Sequence, residues 1–251
     1  VFMKKTGKKQ GGKNLSIVLA LAVCLGAAVF GFDADFAGAG LFSALSGETD
    51  YSSSVQLTAD DIPSYSGEDI IQLDQNKPSF TEKEMTTEDF ETYSDLDSLG
   101  RCGTAYSNIC EERMPTEKRG SIGMIKPSGW HTVRYDDLIT TKYLYNRCHL
   151  IAFQLAGENA NEKNLITGTR HMNEEMIPYE NQVADYVRET GNHVLYRVMP
   201  LFEGENLLAT GVEMEALSVE DDGEGVSFHI FIYNVQPGVE IDYATGESKR
   251  A

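Results

Sequence analysis

His149 closes the tetrapeptide Asn146-Arg147-Cys148-His149, and Asn164, Asn173 and Glu180 follow it in one continuous stretch. An imidazole, with a reference pKa of about 6.5, takes a proton from water near neutral pH. A side-chain amide oxygen is a hard, neutral donor that suits Mg2+, an ion that keeps most of its waters. Glu180 lies seven residues after Asn173. On a helix that spacing returns to the same face two turns on, where a carboxylate can hold a water on the ion. A strand-end histidine facing a helix-start asparagine suits a site that holds a metal ion and activates a water. Each residue also has a plainer reading: a satisfied core histidine, a helix cap at Asn173, an exposed helix glutamate at Glu180.

Positioning these groups requires a strand, a loop and a helix. Tyr143-Leu144-Tyr145 favours a β-strand leading to His149. Asn159, Asn161 and Asn164 mark a polar loop. Met172, Met176, Tyr179, Val183, Tyr186 and Val187 recur at helical spacing, with Pro178 predicting a kink or a new start. Downstream, His193 to Leu201, Leu207 to Leu217 and Val226 to Val235 alternate and are separated by turn residues. They predict an antiparallel meander, with Glu213 and Glu215 on a half-solvated strand. Upstream, a short strand is expected near Ile70 to Leu73, a short helix within acidic Thr81 to Asp97, and loop, short strand and turn from Met114 to Trp130. Trp130 is read as a packing residue. The fold class is α+β with a central antiparallel sheet flanked by helices.

Asn146-Arg147-Cys148-His149 resembles a variant of the Asp-Arg-Gly-His signature of the DNA/RNA non-specific endonucleases, the ββα-metal nucleases. Asn164 and Asn173, nine apart, match the two asparagines that follow in that family. The tail, Tyr233 to Gly238 and Ile241 to Gly246, resembles the end of the bacterial branch of nucleases that act in DNA uptake. The resemblance covers about Ile62 to Glu247. It implies a Mg2+-dependent phosphodiesterase, with Mn2+ able to substitute, acting on DNA and also RNA. It implies His149 as general base, Asn173 as the metal ligand, and Asn164 and Glu180 as residues that orient the site. Lys118, Arg119 and Lys126 would contact substrate phosphates, while Arg147 would either contact phosphate or brace its strand. Three positions depart from the pattern: Asn146 replaces an aspartate, Cys148 a glycine, and Ala184 stands where a phosphate-binding arginine is expected. Arg170, Arg188 and Arg197 are substitutes for that arginine. The departures support an alternative: a catalytically weak or inactive surface module that binds nucleic acid or a partner protein.

The formal charge of −18 argues against a general nucleic-acid coat. Its distribution matters more, because residues 101–200 hold twelve basic and twelve acidic groups and so are neutral. A locally positive cleft on an acidic body is compatible with phosphodiesters. Residues 1–14 carry five lysines and no acids, ahead of an uncharged run from Leu15 to Phe32. This predicts a signal or membrane anchor over 1–32, an extracellular linker over 33–61 and a nuclease domain over 62–251, on the outer face of the membrane or secreted. In an exported domain Cys102 and Cys110 could close a disulfide. A zinc site drawn from Cys102, Cys110, Cys148 and His149 is a third reading, although no C-x-x-C pair is present.

Overall fold

Alternation along the C-terminal half builds a sheet, and the apolar helical stripe supplies the element that covers it. The computed structural model describes residues 57–251; the expected anchor and most of the expected linker lie outside them. Among the described residues no helix is long and apolar enough to cross a membrane. In chain order the first elements are β1 (Ile70–Gln72), β2 (Glu91–Tyr93), β3 (Ala105–Ile109), β4 (Tyr145–His149) and α1 (Phe153–Ala156). Then come β5 (Leu165–Thr169), α2 (Arg170–Thr190), β6 (Val194–Leu201), β7 (Gly211–Ser218), β8 (Ser227–Tyr233), β9 (Val239–Ile241) and β10 (Ser248–Arg250).

Six strands form an antiparallel sheet in the order β1-β8-β7-β6-β3-β2. Val212, Met214 and Ala216 of β7 join Val194, Tyr196 and Val198 of β6 on one face. Met172, Met176, Val183, Ala184 and Val187 of α2 bury against that face. Separately, β4 and β5 pair as a two-stranded antiparallel ribbon, His149 opposite Leu165 and Tyr145 opposite Thr169. The chain passes from β5 directly into α2, giving a ββα unit.

The Thr169 hydroxyl caps α2 by accepting from Met172 N at 3.0 Å. Gly191, at φ 70, ends the helix in the left-handed region that favours glycine. Pro178 does not start a new helix: α2 runs continuously through it. Pro178 and Glu174 are both exposed, so the Glu174 carbonyl that loses its donor can be satisfied by water.

Further expectations are corrected. Thr81 to Asp97 holds no helix; a turn closed by Glu84 N to Thr81 O at 2.9 Å leads to β2 at the sheet edge. Met114 to Trp130 is loop without a strand, and the second meander strand begins at Gly211 rather than Leu207, with Leu207 and Leu208 packed into a satellite cluster. Glu213 and Glu215 are buried, at 8% and 2% exposure. Residues from Asp74 to Glu84 cover them: Glu215 pairs with Arg197 and accepts from Ser79 N at 2.7 Å, and Glu213 pairs with His229 at 2.6 Å. Finally, Cys102 and Cys110 are free thiols. They flank the extended strand β3, which at about 3.3 Å per residue holds them far beyond disulfide reach. The same separation removes the zinc reading.

Candidate active site

Along β4 the side chains alternate, so Arg147 and His149 share one face and Asn146 and Cys148 the other. Arg147 faces the loop between Met114 and Trp130. It donates to Ile125 O, and to Gly123 O at 3.0 Å. Its guanidinium lies 3.9 Å over the Trp130 ring. The opposite strand adds Thr167 Oγ1 to Ser128 O at 2.8 Å. Of its two expected roles, this geometry gives Arg147 the brace, and it fastens a basic loop above His149.

His149 is buried at 7% exposure. Its Nε2 lies 2.9 Å from Asn159 O, an acceptor only, so Nε2 carries the proton. Nδ1 therefore holds the lone pair, and Arg119 Nη2 donates to it at 3.2 Å. Burial pulls the imidazole pKa down to about 4, the nearby Arg119 charge adds to the shift, and the Asn159 carbonyl opposes it. The ring is neutral at physiological pH, as a general base must be.

A close approach of two loops seats Arg119. A Cβ at Gly120 would meet Asn159 Nδ2 at 2.8 Å, so a bare glycine lets Arg119 reach the ring that Asn159 holds from the other side. Asn159, read from sequence only as loop, thus fixes the tautomer through its backbone. A carbonyl carries no side-chain signature, so nothing in the sequence marks it.

Asn164 is fully buried and spends both ends of its amide on one residue: Ile151 N donates to Oδ1 at 2.8 Å and Nδ2 donates to Ile151 O at 2.9 Å. It fixes the chain as it leaves β4. Asn173, in the first turn of α2, is partly exposed, and its amide has no hydrogen-bond partner among the described residues. Thr169 already caps the helix, which removes the capping reading of Asn173. Glu180 lies two turns along the same stripe. Burial pushes its carboxyl up to about 7, against the pull of Arg119, which ties Glu180 electrostatically to the His149 cluster. No hydrogen bond joins Asn173 to that cluster.

Cys148 is tolerated because of Gly168 on the partner strand. A Cβ at Gly168 would stand 3.1 Å from Cys148 Cβ and 2.5 Å from Met172 Cε, so the glycine vacates the space the thiol fills. Ala184 is fully buried in the core, leaving no room for an arginine. Arg170 is engaged by Glu174 at 2.7 Å and Arg188 by Asp185 at 3.2 Å. Arg197 lies on the other face of the sheet with Glu84 and Glu215. The arginine that reaches the site is Arg119.

The tail anchors the unit. Asn234 is fully buried; its Oδ1 accepts from Thr169 N at 2.8 Å, and its Nδ2 donates to Ala209 O at 3.0 Å and Thr167 O at 3.2 Å. One side chain thus joins the end of β5, the start of α2 and the main sheet. Tyr145 Oη donates to Gly246 O at 2.9 Å, and Tyr243 Oη to Asn234 O at 2.7 Å.

This ββα unit can be set beside known proteins. A magnesium-bound structure of NucA from Streptococcus agalactiae superposes with a TM-score of 0.65 at 26% identity, covering 72% of this chain and 87% of that one. NucA from the same organism with no metal bound gives 0.66 at 25% identity, over 77% and 92%. The Sda1 nuclease with a bound zinc ion gives 0.55 at 28%, over 64% and 81%. The family model for DNA/RNA non-specific endonucleases matches residues 80–220, from the segment that covers the far face of the sheet through β4, β5, α2 and β7. With more than half its length matched and the ββα unit in place, the chain belongs to the DNA/RNA non-specific endonuclease family.

Proposed function

We propose that this chain is an exported endonuclease that hydrolyses phosphodiester bonds of DNA, and of RNA, with little sequence preference, using one divalent cation, Mg2+ or in its place Mn2+. The observation that carries the reading is His149: a buried, neutral imidazole whose tautomer is fixed by Asn159 O, leaving Nδ1 as the basic atom beside a loop of cations. Lys118, Arg119 and Lys126 in that loop take no ion pair with an acid among the described residues, whereas Arg101, Arg113, Lys163 and Arg197 do. Unpaired cations suit phosphate oxygens, and contacts to phosphate rather than base edges give low sequence preference.

The donor set fits a hydrated hard cation. Among the described residues no group of three or more His, Cys, Asp or Glu could hold a metal, so a protein cage of the structural zinc type is not built here. Asn173 offers an unpartnered amide oxygen, and Glu180, on the same stripe, can hold a water on the ion. Bound there, a divalent cation supplies Lewis-acid neutralisation of the phosphate and of the leaving 3′ oxygen. His149 Nδ1 takes the proton from the attacking water. Asn159 holds the ring and Asn164 fixes the chain that follows it, Arg147 holds the loop, and Arg119 with Lys118 and Lys126 receives the phosphates. Export rests on the lysine prefix and the uncharged run to Phe32.

The test is nicking of plasmid DNA, and digestion of RNA, by the purified protein in Mg2+, Mn2+ or EDTA. His149→Ala is expected to lower the rate by about 10²- to 10⁴-fold, the range for a positioned general base. A wild-type rate in that variant overturns the assignment. Tight DNA binding without turnover in any divalent cation selects the binding-module alternative.

A further inference from the structure

We propose that Arg119 is a substrate-released cap on the general base: it occupies His149 Nδ1 in the free protein and leaves that atom when a phosphate arrives. The inference rests on the reading of His149 as the base. Nε2 is committed to Asn159 O at 2.9 Å, so Nδ1 is the one atom of the ring that can take a proton from water. Arg119 Nη2 lies 3.2 Å from that atom and fills its lone pair. A water that displaced neither partner would find no acceptor.

The contact is built to be broken. Arg119 is exposed, and this is its one hydrogen bond among the described residues. A neutral imidazole nitrogen is a weaker partner for a guanidinium than a phosphate, whose paired oxygens match the fork of N–H donors and carry charge. Glu180 and Arg119 are close enough to interact electrostatically, with no hydrogen bond between them to hold the guanidinium in place. Around the arginine the loop is fixed: Arg147 holds Gly123 O and Ile125 O, and Gly120 lies flush against Asn159. The guanidinium can therefore swing while its backbone stays, and one residue couples phosphate binding to exposure of the base. Water is activated only beside a bound phosphodiester.

The test uses 15N-histidine NMR on the metal-free protein, with the His149 signals assigned by their loss in His149→Ala. Arg119→Ala should shift the Nδ1 resonance downfield as its donor disappears. Inorganic phosphate should move the wild-type resonance the same way and leave the Arg119→Ala resonance in place. Carbethoxylation of His149 by diethyl pyrocarbonate should be about tenfold faster or more in Arg119→Ala, the factor by which one charge-assisted hydrogen bond holds a group closed. An Nδ1 resonance unmoved by Arg119→Ala, or moved equally by phosphate in both proteins, overturns the cap. Failure of the nuclease reading shows separately, as undiminished plasmid nicking by His149→Ala, and leaves these spectra unaffected.

Discussion

Acid titration of His149 should be visible in the stability of the whole protein. Its pKa falls from 6.5 to about 4 on folding, and each pKa unit corresponds to about 1.4 kcal/mol. The unfolded chain binds the proton first as pH drops. The contribution is therefore fully present above pH 6.5 and lost as pH falls through 4, and it amounts to about 3 kcal/mol. His149→Gln removes the titration while keeping a polar side chain. Urea unfolding of the metal-free protein, followed by the fluorescence of Trp130, the sole tryptophan, measures both proteins at pH 7.5 and pH 4. The variant should be less stable at pH 7.5, and the gap should close by about 3 kcal/mol at pH 4. His229 and Glu180 have raised pKa values and act in the opposite sense, gaining protons on folding. Both are present in wild type and variant, so they largely cancel in the difference. A gap constant across this range would show that His149 is not held neutral by burial, and the base assignment would lose its electrostatic support.

Gly168→Ala should destabilise by about 1–3 kcal/mol through overpacking against Cys148, and adding Cys148→Gly should recover part of the loss; a urea double-mutant cycle measures the coupling, and simple additivity would refute the packing account. Asn234→Ala removes three buried hydrogen bonds and should lower stability by about 2–5 kcal/mol, read by thermal unfolding; a change below about 1 kcal/mol would show that water replaces the amide. Asn173→Ala should raise the Mg2+ concentration needed for half-maximal nicking by about 10- to 100-fold or more, the loss found even for groups behind a metal ligand. An unchanged Mg2+ requirement would move the metal ligand elsewhere. Chelation by EDTA should abolish nicking, with Mg2+ or Mn2+ restoring it.

The parts of the fold legible in the sequence are those written in local period. The strands His193 to Leu201 and Val226 to Val235 alternate between turn residues, and Met172 to Val187 repeats at helical spacing, so β6, β8 and α2 could be read directly. Expectations failed where a remote segment decided the outcome. Glu213 and Glu215 alternate with apolar neighbours as exposed residues do, but a segment more than a hundred residues upstream covers them and supplies Ser79 and Glu84. Cys102 and Cys110 have a spacing that suits a loop closure, and only the extended path of β3 forbids it. For the proposed site, the side chains His149, Asn164, Asn173 and Glu180 are candidates drawn from the sequence. The groups that set their state could not be drawn from it, because they are a backbone carbonyl at Asn159, a missing Cβ at Gly120 and a tail amide at Asn234.

An acidic chain that acts on a polyanion poses an apparent conflict, and the pairing of its charges resolves it. Arg101, Arg113, Lys163, Arg170, Arg188, Arg197, Lys249 and Arg250 are each matched with a carboxylate, so they contribute little field at a distance. Among the described residues Lys118, Arg119 and Lys126 have no such partner, nor do the scattered Lys77, Lys83 and Lys142, but the first three lie within one loop whose carbonyls Arg147 grips beside His149. Phosphate contacts are felt over about a Debye length, roughly 8–10 Å, so a substrate strand at His149 meets this loop before the net charge of the body. The body's negative charge then acts in the useful direction: it opposes adsorption of nucleic acid elsewhere on the surface and leaves the loop as the place where a phosphate gains on approach. On this argument added salt should weaken substrate binding at the loop, and charge reversal at Lys118 and Lys126 should act on KM well before it acts on kcat.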